Sequence, residues 1–171
     1  MIYKFRILSN EEEKFMREID APANITFLDL HKAVQEAVGY DQSQMCSFFI
    51  SDENWEKGIE ITLFDMGDTL DQEKKVMENS IISDCLKKSG QRLLYVFDFF
   101  SERAFFIELV QLIENPKDST DIIVCVKSEG KAPEQIKIDN IMDDTLGLDF
   151  DDDDFSDEWD QEINIDDLED Y

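Results

Sequence analysis

Three sets of side chains in this sequence have types and spacings that chemistry could use. Asp98 and Glu108 flank a short charged interruption, Ser101-Glu102-Arg103, in the aromatic run LLYVFDFFSERAFFIEL (93–109). On a hairpin turning at 101–103 both acids fall on one face, and two carboxylates are the minimum for glycosidic hydrolysis. No pocket-forming segment accompanies them, and strand-borne acids commonly sit on solvated or ion-paired faces. His31 is the single histidine, and Cys46, Cys85 and Cys125 are the three thiols. A zinc site would have to draw these from scattered elements with no C-x-x-C spacing. His31 is therefore read as a core or boundary residue whose ring bonds to backbone or water, and the cysteines as buried free thiols in a reducing cytosol. The third set is DFDDDDFSDEWD (149–160), with acids at the first, third, fifth and ninth positions of a calcium-loop template. Asp154 stands where that loop turns on Gly and Asp160 where Glu closes it, which leaves only loose cation association, roughly millimolar. Glycine-rich phosphate loops, G-x-S-x-G and H-E-x-x-H are absent from the sequence, so no cofactor is expected.

The elements that would position these groups follow from periodicity. IYKFRIL (2–8) and FMREI (15–19) alternate in character around the polar SNEEE and predict a β-hairpin. In NITFLDLHKAVQEAVGY, Thr26 and Asp29 form a capping-box start and Gly39 a left-handed stop. Between them Phe27, Leu30, His31, Val34, Ala37 and Val38 make one apolar stripe. CSFFI (46–50) and IEITLF (59–64) predict two strands, 65–79 a polar loop, and 81–88 a short helix capped by Ser80, with Lys87 and Lys88 at its C-terminal end. A turn at 101–103 would set Phe99 opposite Phe105 and Phe97 opposite Ile107, an aromatic ladder of buried side chains behind a surface turn. DIIVCV (121–126) is the final strand. The sum is an α+β domain over 1–138: a twisted, mainly antiparallel sheet with one long and one short helix, β-grasp being one candidate order.

Charge divides the chain unevenly. Sixteen basic against 42 acidic residues give a net charge of −26, and no Lys or Arg follows Lys137. Residues 139–171 hold 16 Asp and Glu, so they carry −16, and residues 1–138 carry 16 − 26 = −10. Such composition, with isolated apolar residues set among acids, predicts a disordered acidic tail over 139–171. Phe155, Trp159 and Ile163 are spaced by four, enough for a short amphipathic turn against a partner. A surface this negative repels phosphate backbones and anionic lipid, so direct nucleic-acid and membrane binding are not expected. MIYKFRIL is too short for a secretory h-region, and no apolar run approaches the ~20 residues of a membrane helix. The expectation is a soluble, cytoplasmic protein.

The segments YKFRIL, KFMREIDAP, ITFLDLHKAVQEAVGY, LLYVFDF and CVKSEGKAPE, in that order, resemble the family named after the third open reading frame of an Ri plasmid, whose members are also known as insertion-element passenger proteins. The resemblance spans about residues 1–135. It implies an α+β domain and an association with mobile elements, and no settled biochemical role. The family pattern follows its Tyr-x-Tyr-Asp-Phe lead-in with a Gly-Asp-Asp-x-x-His-like turn that includes a Trp. Here Tyr95, Phe97, Asp98 and Phe99 keep the lead-in, while Phe100 stands at the Gly, Ser101 and Glu102 at the acid pair, Arg103 at the Trp and Phe105 at the His. Trp-Arg near the second strand has become Met16-Arg17, and the Cys and Gly-Gly flanking the Pro-Glu segment are missing around Pro133-Glu134. Any acid/base or metal role of that turn would lack its His in this chain.

Two functional expectations follow. The first is a non-catalytic interaction module whose acidic tail engages a basic protein, with Phe150, Phe155, Trp159, Ile163 and Leu168 supplying short-range contacts and Arg103, at a turn tip, a further contact. The second, implied only by the resemblance, is an accessory protein or enzyme of a mobile element.

Overall fold

The structure is a computed structural model and describes residues 1–65, 67, 75–116 and 122–137. Residues Met1–Ile136 form one compact unit; of the second, Lys137–Tyr171, only Lys137 is described. Eight strands form one sheet: β1 (Ile2–Leu8), β2 (Met16–Pro22), β3 (Ser47–Ser51), β4 (Lys57–Thr62), β5 (Lys75–Val76), β6 (Arg92–Asp98), β7 (Arg103–Ile113) and β8 (Val124–Glu129). Their order is β5-β4-β3-β6-β7-β1-β2-β8, and the single parallel pair among them is β4–β5 at one edge. The class is α+β with a mostly antiparallel sheet, and its middle lacks the parallel pair that a β-grasp order requires.

Among the described residues one helix of length, α1 (Phe27–Val38), lies on one face of the sheet. It starts where the sequence says it should. Thr26 Oγ1 accepts the N–H of Asp29 at 3.1 Å, and Asp29 returns the bond to the Thr26 N–H at 3.0 Å. Gly39 ends it at φ 71, a left-handed conformation that costs glycine nothing. Phe27, Leu30, His31 and Val34 face inward onto Tyr3, Phe5, Ile7, Ile19, Phe48, Tyr95 and Phe105, all essentially without exposed surface. Alternation in β1 buries Tyr3, Phe5 and Ile7 and sends Lys4 and Arg6 to the opposite face.

On that opposite face the registers align charges of alternating sign across five strands. Arg92 stands opposite Glu108, Glu108 opposite Arg6, Arg6 opposite Glu18, and Glu18 opposite Lys127. The Arg6–Glu18 pair closes to 3.0 Å. Cross-strand pairs of opposite sign each contribute little, but a one-residue slip would oppose charge to apolar side chains along the whole row.

Several sequence expectations move. The hairpin between β6 and β7 turns over 99–102, so Tyr95 faces Phe105 and Leu93 faces Ile107, rather than Phe99 and Phe97 taking those places. The cause is Asp98, whose Oδ1 accepts the N–H groups of Phe100 and Ser101, each at 3.1 Å, and starts the turn early. Glu102 then takes a left-handed φ of 51, and Arg103 pairs with Asp98 across an irregularity at Phe97. Phe97 and Phe105 are buried as expected, but Phe99 is 45% and Phe100 84% exposed.

The expected helix 81–88 is only α2 (Ile82–Cys85), and Ser80 does not cap it. Its first N–H groups go instead to backbone carbonyls, Ile82 N to Ile25 O and Ser83 N to Ala23 O, both 3.0 Å, so Lys87 and Lys88 lie beyond the helix. The segment read as a polar loop contains β5 and a 3-10 turn, Met77–Asn79, that buries Met77. The last strand is Val124–Glu129 rather than 121–126, because its partner is β2, with Glu18 opposite Lys127. As an edge strand it leaves its apolar residues exposed.

Packing of this kind sets a stability contrast. Phe105→Ala should cost ~3–5 kcal/mol through the cavity it opens, and Phe100→Ala within about 0.5 kcal/mol. Urea unfolding of the two variants measures both, and similar costs would mean that the 99–102 turn is packed.

Candidate functional site

Two polar constellations stand inside the apolar framework. The first lies under α1. His31 and Gln35, one turn apart, point at Tyr95 on β6, and all three are buried. Tyr95 Oη is 2.8 Å from His31 Nδ1 and accepts from Gln35 Nε2, which also lies 3.4 Å from Cys46 Sγ. The Tyr95 hydroxyl thus ties His31, Gln35 and Cys46 together, and whether it donates to or accepts from His31 Nδ1 follows the tautomer of the ring. Burial, and then the neighbouring charge of Lys32, lowers the His31 pKa. Burial likewise raises those of Tyr95 and Cys46. Among the described residues Gln35 Oε1 has no hydrogen-bond partner. These groups fasten the helix to the sheet, and each is sealed from solvent. His31 is a core histidine, as expected, with a tyrosine hydroxyl for its partner in place of backbone or water.

The second constellation centres on Arg103, at the start of β7. Its Nε and Nη2 reach the two carboxylate oxygens of Glu11 at 2.9 and 3.2 Å, and Nη1 lies 3.5 Å from Asp98 Oδ2. The same guanidinium donates to Gln135 O at 3.1 Å and to Glu134 O, and it lies 4.9 Å from the centroid of the Phe97 ring. Beneath it Tyr40, Phe97, Phe105 and Phe15 form an aromatic cluster with centroid separations of 4.7–5.6 Å. Tyr40 Oη donates to Pro133 O at 2.6 Å, and Gln135 bonds the Asp41 backbone through both amide atoms, at 2.7 and 3.0 Å. Burial raises the Tyr40 pKa. Burial alone would lower that of Arg103, but hydrogen bonds and charge from Glu11 outweigh it and the net shift is upward.

The chain reaches this clamp through Gly130. With φ 66 and its Cα against the Lys14 carbonyl, Gly130 leaves no room for a Cβ, and it lets β8 turn back toward Pro133. Arg17, also buried, does comparable work at the C-terminal end of the helix. It donates to Ala37 O at 2.9 Å and to Glu129 O at 2.6 Å, while packing over Phe15.

Arg103 was expected at a turn tip facing a partner; it begins a strand, and its side chain is 8% exposed with its donors engaged within the chain. Asp98 and Glu108 are not a carboxylate pair. Asp98 starts the turn and pairs with Arg103, whereas Glu108 stands opposite Arg92, six residues down β6 and roughly 20 Å away at strand spacing. Of the three free thiols Cys46 is buried and Cys85 half-buried, but Cys125 is exposed on β8, against expectation. Among the described residues no group of three or more His, Cys, Asp and Glu is placed to hold a metal ion. Phe150, Phe155, Trp159, Ile163 and Leu168, and the 149–160 acidic stretch, lie outside the described residues. Glu11, Tyr40 and Gln135 were missed by sequence reasoning, since nothing in their local spacing marks a shared arginine.

Residues 1–138 match the family model described as plasmid pRiA4b ORF-3-like protein. The chain belongs to the pRiA4b ORF-3-like family. No curated protein matches it. Among solved structures it is similar to the crystal structure of a protein of unknown function, MM3350, from Methanosarcina mazei Go1, with a TM-score of 0.56 and 20% identity over 74% of this chain and 68% of that one. At that identity the likeness shows the fold alone.

Within the ORF-3-like pattern, the position of the usual His is taken by Phe105, buried and stacked on Phe15 at 5.1 Å. The Trp position is taken by Arg103, which lays its own flat group over Phe97. Two predictions follow from the geometry in this ORF-3-like domain. Arg103→Lys keeps the charge but loses the fork, and should cost about 1–3 kcal/mol in urea unfolding while exposing 131–137 to proteolysis; unchanged cleavage would show that the segment is held otherwise. For His31 the folded pKa lies below the unfolded one, so the unfolded chain binds the proton first as pH falls. Its contribution is complete above the unfolded value of about 6.5 and is lost below it. His31→Gln should therefore flatten the fall in stability as pH drops below about 6.5. Parallel pH curves for the two proteins would contradict this.

Proposed function

We propose that this chain is a non-catalytic protein-interaction module whose acidic C-terminal segment engages a basic protein partner. The observation that carries the reading is the separation of charge: 16 acids and no base over 139–171, interspersed with Phe150, Phe155, Trp159, Ile163 and Leu168. Carboxylates give long-range attraction that salt weakens, and the apolar side chains give short-range burial and specificity. The folded part supports the reading because the side chains best suited to chemistry serve the fold. Arg103 clamps two segments, His31 and Tyr95 fasten α1, and Asp98 and Glu108 stand apart. Strong negative charge disfavours a phosphate-backbone ligand. Cytoplasmic placement belongs to the same proposal, as does a connection with mobile elements, which rests on the family's name.

Affinity capture from cell extract with the full chain tests it. Captured basic protein should fall as salt rises from about 50 to 500 mM. It should fall further for Phe155→Ala with Trp159→Ala, which leave the charge unchanged. Capture indifferent to salt and to both substitutions would overturn the proposal.

A further inference from the structure

Of the three thiols, one has an amine beside it. Lys75 Nζ lies 3.6 Å from Cys85 Sγ and donates to it, and the thiol is half-buried. Among the described residues the other two have different company. Cys46 is buried, with the Gln35 amide at 3.4 Å and the Gln44 carbonyl at 3.6 Å. Cys125 is exposed, with its Sγ 3.4 Å from the Lys127 carbonyl.

Tertiary structure makes the pair. The two residues are ten apart in sequence, Lys75 on the edge strand β5 and Cys85 at the end of α2. Each is anchored close by. Met77, two residues after Lys75, is fully buried, as are Ile82 and Leu86 on either side of Cys85. The Leu86 N–H bonds the Ile82 carbonyl at 2.8 Å, and the Leu86 carbonyl accepts from Tyr3 Oη, also at 2.8 Å. Nitrogen and sulfur are therefore held close to contact, and a step between them is intramolecular.

A thiol and an amine are both nucleophiles and do not react with each other until an oxidant intervenes. Hydrogen peroxide is such an oxidant. The Cys85 sulfur attacks one peroxide oxygen, an S–O bond forms as the O–O bond breaks, and the other oxygen leaves as water with the thiol proton. Cys85 is then a sulfenic acid, oxidised by two electrons, and its sulfur has become electrophilic. Lys75, after giving one proton to solvent, attacks that sulfur. An S–N bond forms, the S–O bond breaks, and the hydroxyl leaves as water with a second proton from nitrogen. Sulfenic acids condense in this way with thiols and with backbone nitrogen; here the nitrogen in contact belongs to a lysine.

We infer that Lys75 and Cys85 form a peroxide-responsive site, in which oxidation of Cys85 is captured by Lys75 as a reversible sulfenamide cross-link. The bond ties β5, which meets the sheet only through Ile61 and Thr62 of β4, to α2 and its buried Ile82. It also removes the sulfenic acid before a second peroxide can carry it to sulfinic acid, which is not reduced by thiols. The inference is independent of the proposed function.

The test uses the full chain carrying Cys125→Ser, which removes the exposed thiol and with it disulfides between molecules. The protein is treated with a few equivalents of hydrogen peroxide, digested without reductant and mapped by mass spectrometry. Peptides bearing Lys75 and Cys85 should be found joined, lighter than their sum by two hydrogens, and a dithiol should separate them. Lys75→Arg keeps the charge but offers no nucleophilic amine, so its Cys85 should be recovered as sulfinic acid in several-fold higher yield than in the parent. The joined peptide in the parent is decisive by itself, so the test survives a Lys75→Arg variant that fails to fold. Cys85 recovered from the parent as free thiol, or as sulfinic acid with no joined peptide, overturns the inference.

Discussion

A sheet of eight strands is wider than one helix can cover, and this mismatch organises the domain. Seven inter-strand spacings amount to about 34 Å, whereas the 12 residues of α1 reach about 18 Å and cover a strip about 10 Å across. The remainder of the inner face is closed by loops, and loops bring backbone carbonyls into places water cannot reach. Long donor side chains meet that need. Arg17 takes the carbonyls of Ala37 and Glu129, Arg103 those of Glu134 and Gln135, Tyr40 that of Pro133, and Tyr3 that of Leu86 at 2.8 Å. Arg103, Tyr40 and Tyr3 thereby join loop segments to the rest of the domain, and Arg17 ties the end of α1 to the end of β8.

The two arginines show how a buried cation is made tolerable. Neither is left with bare charge: Arg103 has the Glu11 carboxylate in bidentate contact and an aromatic ring beneath, and Arg17 has the C-terminal carbonyl end of α1, where a helix favours a cation, and the Phe15 ring. In both, one planar group satisfies several oxygens in fixed directions, which an ammonium could not do. The outer face follows the opposite economy. Its row of alternating charges reaches solvent at Arg6 and Lys127, where screening makes each pair cheap to keep and weak in effect.

Much of the fold was legible because its signals are local. The capping box at Thr26 and Asp29, the Gly39 stop, the alternation of β1 and the aromatic content of β6 and β7 all act within a few residues. What was misread lay where a tertiary partner overruled a local pattern. Ser80 looked like a cap, but the carbonyls of Ala23 and Ile25 occupy that place. DIIVCV (121–126) marked the last strand, but pairing with β2 sets its register and shifts it to Val124–Glu129 at the edge. Met77 sat in a polar stretch, and nothing nearby said that it would plug the core.

The sequence by itself determined the α+β class, the principal helix and the concentration of acid after residue 137, since composition and periodicity carry those directly, and the family through the segments that resemble it. Only the tertiary structure decided that Arg103 turns inward, that Phe99 and Phe100 face water, and that Asp98 and Glu108 never meet. The reason is physical. Whether a side chain at a turn is buried depends on where the ladder begins, and that depends on two bonds from Asp98 to the backbone that immediately follows it. A shift of one position there exchanges inside for outside along both strands.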